Sequence, residues 1–182
     1  RDGAIGNILA AEVYWNGGCV RHYGFHHPRQ PGWTEMEYQL RNWYFYNYLS
    51  GDHIVEQHVH NLDVANWALG GPPVEALATG GRQWRTQPEF GNIYDHFAVR
   101  YKYPNGAIVV SMCRQIDGTK PLVSETIYGC NGRASVGTIE GANKYRFEGP
   151  HNHAYEQEHA DLIQSIRDGK PFTDDVVGHY AY

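Results

Sequence analysis

The stretch from Asp95 to Gln115, DHFAVRYKYPNGAIVVSMCRQ, constrains the fold more than any other. Phe97, Val99 and Tyr101 alternate with Ala98, Arg100 and Lys102, the period of two expected of a half-buried strand. Asn105-Gly106 interrupts the run, and Ile108, Val110 and Met112 resume it. Asn-Gly favours the positive backbone angles of a tight hairpin turn, so the two runs are expected to be antiparallel neighbours. A chain organised around such a hairpin carries an antiparallel sheet, and the sheet needs an apolar layer against it.

The remaining signals supply further strands and the covering helices. Ile8 to Trp15 places Leu9, Ala11, Val13 and Trp15 on one face and ends at Gly17-Gly18. Residues 16 to 33, rich in Gly, Pro, His and Arg and without a period, form a long irregular loop of the kind that often carries function. Thr34 and Glu37 make a capping-box pattern that starts a helix at Glu35. The NWYFYNYL segment that follows is aromatic enough to be extended chain, and its aromatics fit neither period cleanly. A second helix is expected over His53 to Leu69, with Val55, Val59, Leu62, Trp67 and Leu69 at helical spacings and Gly70-Gly71-Pro72-Pro73 as its stop.

Val74 to Trp84 reads as a strand interrupted by Gly80-Gly81, and short strands are expected at Ser124 to Tyr128, Ala134 to Gly137 and Lys144 to Glu148. Tyr155, His159, Leu162, Ile163 and Ile166 stripe a last helix, capped by Asn152 and ended by Asp168-Gly169-Lys170-Pro171. The sum is an α+β domain, a largely antiparallel sheet with helices on one face.

A length of 182 residues suits one domain spanning 1–182, and 41 % hydrophobic with 19 % charged residues is globular composition. The net charge of -5 offers no basic footprint for nucleic acid. No apolar run approaches the roughly 18 residues of a membrane span, and no signal segment opens the chain, so a soluble protein is expected, cytoplasmic or exported. A start at Arg1 without methionine suggests a processed protein or an excised fragment. Cys19, Cys113 and Cys130 are odd in number and widely spaced, which makes buried thiols the expectation.

The densest set of ionisable groups is GDHIVEQHVHNLDVANWALGG, with Asp52, His53, Glu56, His58, His60 and Asp63. On one helix Glu56 and His60 would share a face, with Cβ atoms about 5 to 6 Å apart. A carboxylate beside an imidazole favours the charged ring and orients it, which suits a base that takes a proton from an alcohol. The same spacing occurs in ordinary solvated helix pairs, and the pattern alone leaves both readings open. A metal site is not expected, because His58 and His60 lie two apart on different faces of a helix. Arg82, Arg85, Tyr94 and His96 surround a polar loop that could face a sugar, and Arg41, Asn42 and Trp43 precede the histidine segment. For any one Tyr or Trp, core packing or a subunit interface competes with ligand contact. GGRQWR and GCNGRASVG lack the G-x-G-x-x-G spacing, so no Rossmann domain is expected within the chain.

Glu56, His60, Asp63, Trp67 and Gly70 follow the order carboxylate, histidine, acid, helical Trp and Gly, and this segment resembles the C-terminal domain of the Gfo/Idh/MocA oxidoreductases. The opening DGAIGNILAAEVYW, the hairpin YKYPNGAIV, YGCNGRASV and the late helix before DGKPF fit the same pattern, so the resemblance covers nearly the whole chain. It implies an open, mostly antiparallel sheet of the dihydrodipicolinate-reductase-like kind, with a bare face that builds homo-oligomers. It also implies an absent N-terminal domain that would carry most of the NAD or NADP site. His60 takes the place of the family's catalytic histidine and Glu56 that of its partner carboxylate, one methylene longer than the usual Asp. Asp63, Trp43 and Tyr94 are the candidates for contact with a small sugar or polyol. The reaction implied is oxidation of a secondary alcohol by an intact NAD(P)-dependent enzyme, the isolated domain having little activity. Two alternatives stand beside it: an NAD-dependent glycosidase working by transient oxidation and elimination, and a non-catalytic sugar-binding or assembly module.

Overall fold

The structure is a computed structural model that describes residues 3–19, 26–149 and 153–170. The hairpin is present: β3 (His96–Lys102) and β4 (Ile108–Gln115) pair antiparallel, with Tyr101 opposite Val109. Its turn differs from the tight two-residue form expected. Gly106 alone takes a positive φ, of 86°, and the N–H of Tyr103 donates to the carbonyl of Ala107 at 3.0 Å. Proline has no N–H, so Pro104 cannot donate to the carbonyl of Ala107 as a two-residue Asn105-Gly106 loop requires, and Tyr103 closes a longer connection in its place, with Gly106 in the left-handed region.

β1 (Ile8–Gly17) lies at the centre of the sheet, parallel to β4 and antiparallel to β5 (Leu122–Gly129). β2 (Glu75–Gly81) forms one edge, and β6 (Gly132–Ser135), β7 (Thr138–Gly141) and β8 (Tyr145–Arg146) extend the other. The eight strands run β2-β3-β4-β1-β5-β6-β7-β8, and only the β1–β4 pair is parallel. β7 was not expected as a strand. It is reached by a turn at Val136-Gly137, and its backbone approaches Gly132 so closely that a Cβ there would lie 2.2 Å from the carbonyl oxygen of Glu140.

Register divides the hairpin's apolar residues between two faces. Phe97, Val99 and Tyr101 pair with Cys113, Ser111 and Val109, and that face continues into Ala11, Val13 and Ile127. Ile108, Val110 and Met112 are on the opposite face. The covered face holds the main core, in which Ala11, Val13, Tyr103, Ala107 and Val109 pack against Ala65, Leu62 and Leu69. These last three lie on α4 (Val59–Leu69), which Gly70 ends in the left-handed conformation, its N–H donating to Asn66.

The helical layer is more broken than expected. α1 (Glu35–Arg41) starts as the capping box requires, with Thr34 accepting from the N–H of Glu37 at 3.1 Å. The aromatic run then forms a 3-10 turn (Trp43–Phe45) and the short α2 (Asn47–Ser50), not extended chain. Tyr44 and Phe45 are buried with Cys19, Phe90 and Ile93 in a second core cluster, and Phe45 meets Phe90 edge-on at 5.8 Å between ring centres. That packing overrides the β preference of the aromatics. The helix expected from His53 to Leu69 is two helices, α3 (His53–Glu56) and α4, separated by Gln57 and His58.

α5 (Ala154–Asp168) ends at Gly169 with φ 62° as expected, but Leu162, Ile163 and Ile166 of its stripe are exposed. Asn152 and Pro171 lie outside the described residues, and His153 precedes the helix without a side-chain cap. Cys19 and Cys113 are buried, whereas Cys130 is exposed because it stands in the β5–β6 turn. Among the described residues no helix is long and apolar enough to cross a membrane.

Candidate active site

The entrance to α3 is built on Asp52, whose φ of 70° and ψ of 171° belong to a region adopted almost only by glycine. Four hydrogen bonds hold it there. The Asp52 N–H donates to Ser50 Oγ at 3.0 Å, Oδ1 accepts from the N–H of His53 at 2.6 Å and from His53 Nδ1 at 2.9 Å, and Oδ2 accepts from the N–H of Tyr94 at 2.7 Å. One carboxylate thus caps α3, orients a fully buried imidazole and ties down the loop before β3.

His53 stands between this carboxylate and Arg85, whose Nη2 is 3.5 Å from Nδ1, and the His53 ring centre lies 5.0 Å from that of Phe97. Arg85 is itself fully buried. It donates through Nη1 to Gln115 Oε1 at 2.6 Å and through Nη2 to the carbonyl of Tyr94, and Gln115 Nε2 donates to the hydroxyl of Tyr44 at 2.7 Å. The loop carrying Arg85 is folded around Asp95, which accepts from the backbone N–H groups of Gln83, Trp84 and Arg85 and from His96 Nδ1. Burial alone would raise the Asp95 carboxyl, but these donors outweigh it and hold it down at about 2. Arg82 is spent on the carbonyls of Arg85, Gln87 and Gly91. The reading of Arg82 and Arg85 as sugar-facing groups is therefore corrected: both cations organise the loop.

A second buried chain lies at the break between α3 and α4. His58 Nε2 meets Ser111 Oγ at 2.6 Å, His58 Nδ1 meets Asn61 Oδ1 at 3.2 Å, and Asn61 Nδ2 donates to Glu125. Burial pushes the His58 imidazole down to about 4; the bond to Asn61 opposes that and the charge on His53 adds to it.

Against this backing stand the residues singled out in the sequence. Glu56 is the last residue of α3, half-buried, and burial pushes its carboxyl up. His60 is in the first turn of α4, exposed, with its ring centre 6.1 Å from that of Trp15 on β1. No hydrogen bond or ion pair joins Glu56 to His60, because the break removes the single helical face on which they were expected to meet. Asp63 is exposed on α4, and its carboxylate makes no hydrogen bond or ion pair with the other described residues. Tyr94, 44 % exposed, is bound to Asp52 through its backbone and leans on Phe97 at 5.4 Å between ring centres. Trp43 is half-buried and packs against the aromatic cluster, its ring centre 5.7 Å from that of Tyr44.

Tyr44, Asn61, Ser111, Gln115 and Glu125 were not recognised from sequence. The signal was present in β4, where Ser111 and Gln115 occupy the same alternate positions as Val109 and Cys113 and therefore face the core. A polar side chain in a core phase needs a buried partner.

Among the described residues no three His, Cys, Asp or Glu side chains converge as metal ligands. Nor do those residues form a nucleotide cradle: the glycine turns at Cys130-Asn131-Gly132 and Val136-Gly137 join antiparallel strands, where a phosphate loop leads from a strand into a helix N-terminus. What the site offers is an exposed imidazole, a carboxyl raised by its surroundings and a rigid polar backing.

The family model described as the GFO/IDH/MocA C-terminal domain matches residues 1–135. The chain is 25 % identical over 182 residues to 2,7-anhydro-N-acetylneuraminate hydratase of Escherichia coli K12, covering 100 % of this chain and 44 % of that protein. Among solved structures, aldose-aldose oxidoreductase from Caulobacter crescentus is similar at a TM-score of 0.68 with 16 % identity, over 100 % of this chain and 52 % of that one. A dehydrogenase from Bordetella pertussis in complex with NADH and UDP-GlcNAcA is similar at a TM-score of 0.60 with 19 % identity, over 98 % of this chain and 51 % of that one. At these identities the solved structures establish the fold, an open and mostly antiparallel eight-stranded sheet with a few helices. The chain spans about half the length of the relatives it matches.

Proposed function

Since the chain belongs to the GFO/IDH/MocA family through its C-terminal domain, we propose that it is the substrate-side domain of an NAD- or NADP-dependent oxidoreductase acting on a secondary alcohol of a sugar or polyol. In this reading residues 1–182 form one domain that works with a separate dinucleotide-binding domain. His60 is the base that accepts the hydroxyl proton, and Glu56, whose carboxyl burial raises, is the second ionisable group of the site, on the neighbouring helix. The nicotinamide, carried by the other domain, supplies the hydride acceptor. Asp63, Trp43 and Tyr94 are candidates for holding the sugar.

The observation that supports the reading is the exposed imidazole of His60, its ring centre 6.1 Å from that of Trp15, at the position to which the resemblance assigns the family's histidine. An exposed ring is accessible to a hydroxyl, while His53 is buried with its Nδ1 held by Asp52, and His58 is buried with both ring nitrogens bonded. The open face of the sheet, with Leu77 69 % and Met112 42 % exposed, supports self-association as a homo-oligomer.

The test is NADH or NADPH formation by the full-length protein on a panel of sugars, nucleotide sugars and polyols, with His60→Ala as the control. We expect the variant to lose roughly 10²- to 10⁴-fold in kcat/KM at an unchanged melting temperature. Lost stability with retained turnover would instead favour a sugar-binding or assembly module in which these residues are structural.

A second enzymatic reading is favoured by the full-length match of this chain to a hydratase. Transient oxidation, elimination across the adjacent bond and addition of water to the resulting double bond, with the hydride returned to the carbonyl at the end, would give net hydration or glycoside cleavage. Product then appears without accumulation of NADH, for example nitrophenol from a nitrophenyl glycoside.

A further inference from the structure

The break between α3 and α4 has no cause in the local backbone chemistry. Ile54, Val55, Glu56, Gln57, His58 and Val59 include neither glycine nor proline, and a continuous helix would satisfy their backbone groups. Instead the carbonyl of His53 accepts from both Gln57 and His58, each at 3.1 Å. The second bond spans five residues, a π-type turn of the kind that recurs at functional sites. Gln57 leaves the helical region with φ -125°, and α4 restarts with Asn61 and Leu62 donating to the carbonyl of His58.

The side chain of His58 supplies what the backbone does not. Asn61 directs its amide nitrogen to Glu125, so its oxygen faces His58 and can only accept. The proton of the His58 ring therefore resides on Nδ1, and Nε2 accepts from the Ser111 hydroxyl at 2.6 Å. Both nitrogens are engaged with the ring 0 % exposed, which ties the break to β4 through Ser111 and to β5 through Asn61 and Glu125. The groups facing this ring are Ser111 from β4, Asn61 from α4 with Glu125 of β5 behind it, and His53 from α3 with Asp52 on its far side.

Resting on the assignment of Glu56 and His60 made above, we propose that His58 is a positioning residue whose doubly bonded ring pins the α3–α4 break. The pin holds the carboxylate and the base on two separately oriented turns, so that they do not pair across one helix face. Glu56 and His60 stand two residues to either side of it. Without the pin, residues 53–69 can close into a single helix, and the pair then meets at the four-residue spacing. A carboxylate there raises the titration midpoint of an exposed imidazole by about 0.2 to 0.4 pH unit.

The experiment is nitrogen-15 NMR of histidine-labelled full-length protein without substrate, so that it stands or falls independently of the turnover assay. In the wild type, His58 is expected to be neutral at pH 7 with its proton on Nδ1. In Ser111→Ala, helical content is expected to rise and the His60 midpoint to move up by about 0.2 to 0.4 pH unit. Ser111→Thr, which restores the hydroxyl, returns both to the wild-type values. Ser111→Cys keeps the volume with a weaker donor and gives a smaller shift of the same sign should the alanine variant not fold. A wild-type ring protonated on Nε2 would overturn the proposal, as would a His60 midpoint that stays fixed in folded Ser111→Ala or Ser111→Cys protein.

Discussion

Asp52 combines backbone strain with a carboxylate whose bonds offset it, and the two effects can be separated by substitution. Ala at this position keeps the cost of φ 70° and loses the bonds to His53 and Tyr94, whereas Gly loses the same bonds but relieves the backbone. We expect Asp52→Ala to destabilise by about 3 kcal/mol and Asp52→Gly by about 1 kcal/mol less. Urea unfolding of both variants gives the difference, and equal losses would show that the conformation carries no strain. His58 and Asp95 act through pH. The His58 pKa is depressed from 6.5 to about 4, so the unfolded chain binds the proton more readily. The stabilisation is complete above pH 6.5 and is lost as pH falls towards 4, to the extent of about 3 kcal/mol. Asp95, depressed from 3.8 to about 2, adds a further loss of about 2 kcal/mol between those values. A stability profile that is flat from pH 6.5 to 4.5 would contradict the buried, neutral His58.

Among the elements, the β3–β4 hairpin and the α3–α4 pair had comparable sequence signals and different outcomes. The hairpin formed where alternation and Asn105-Gly106 put it, because both its strands and its turn are short-range properties. Only the turn geometry changed, for the local reason that Pro104 is present. Gly106→Ala tests the new geometry. A Cβ there meets nothing within 4 Å, so the cost is that of φ 86° alone, about 1 to 2 kcal/mol in thermal or urea unfolding. A neutral result would mean that the turn can change type. The helix from His53 to Leu69 broke although its apolar spacing was sound, because His58 is held by Ser111 on β4 and by Asn61, which Glu125 on β5 holds in turn, and both strands are about fifty and more residues away in sequence. Likewise NWYFYNYL became helical turns because Phe45 packs against Phe90, a contact no window of neighbouring residues contains.

For the whole molecule, the sheet has one face under α4 and the second core cluster and another that carries Leu77, Met112 and Leu122 with polar neighbours. Met112→Lys together with Leu77→Lys on that face is expected to shift sedimentation from oligomer to monomer without loss of the fold. Unchanged sedimentation of the double variant would place any association elsewhere, and a monomeric wild type would remove the need for it.

From the sequence by itself came the α+β class, the antiparallel hairpin, the strand at Ile8, the helix caps at Thr34, Gly70 and Gly169, and the family to which Glu56, His60 and Asp63 point. These depend on side-chain period, glycine conformation and motif spacing, all written in neighbouring residues. The tertiary structure alone decided that Arg85, His53 and His58 are buried scaffolding, held by Gln115, Asp52 and Ser111 respectively, that Glu125 holds the Asn61 beside His58, and that Glu56 and His60 stand on opposite sides of a break. A buried polar group is specified by its hydrogen-bond partner, and when that partner comes from a distant strand only the folded chain brings the two together.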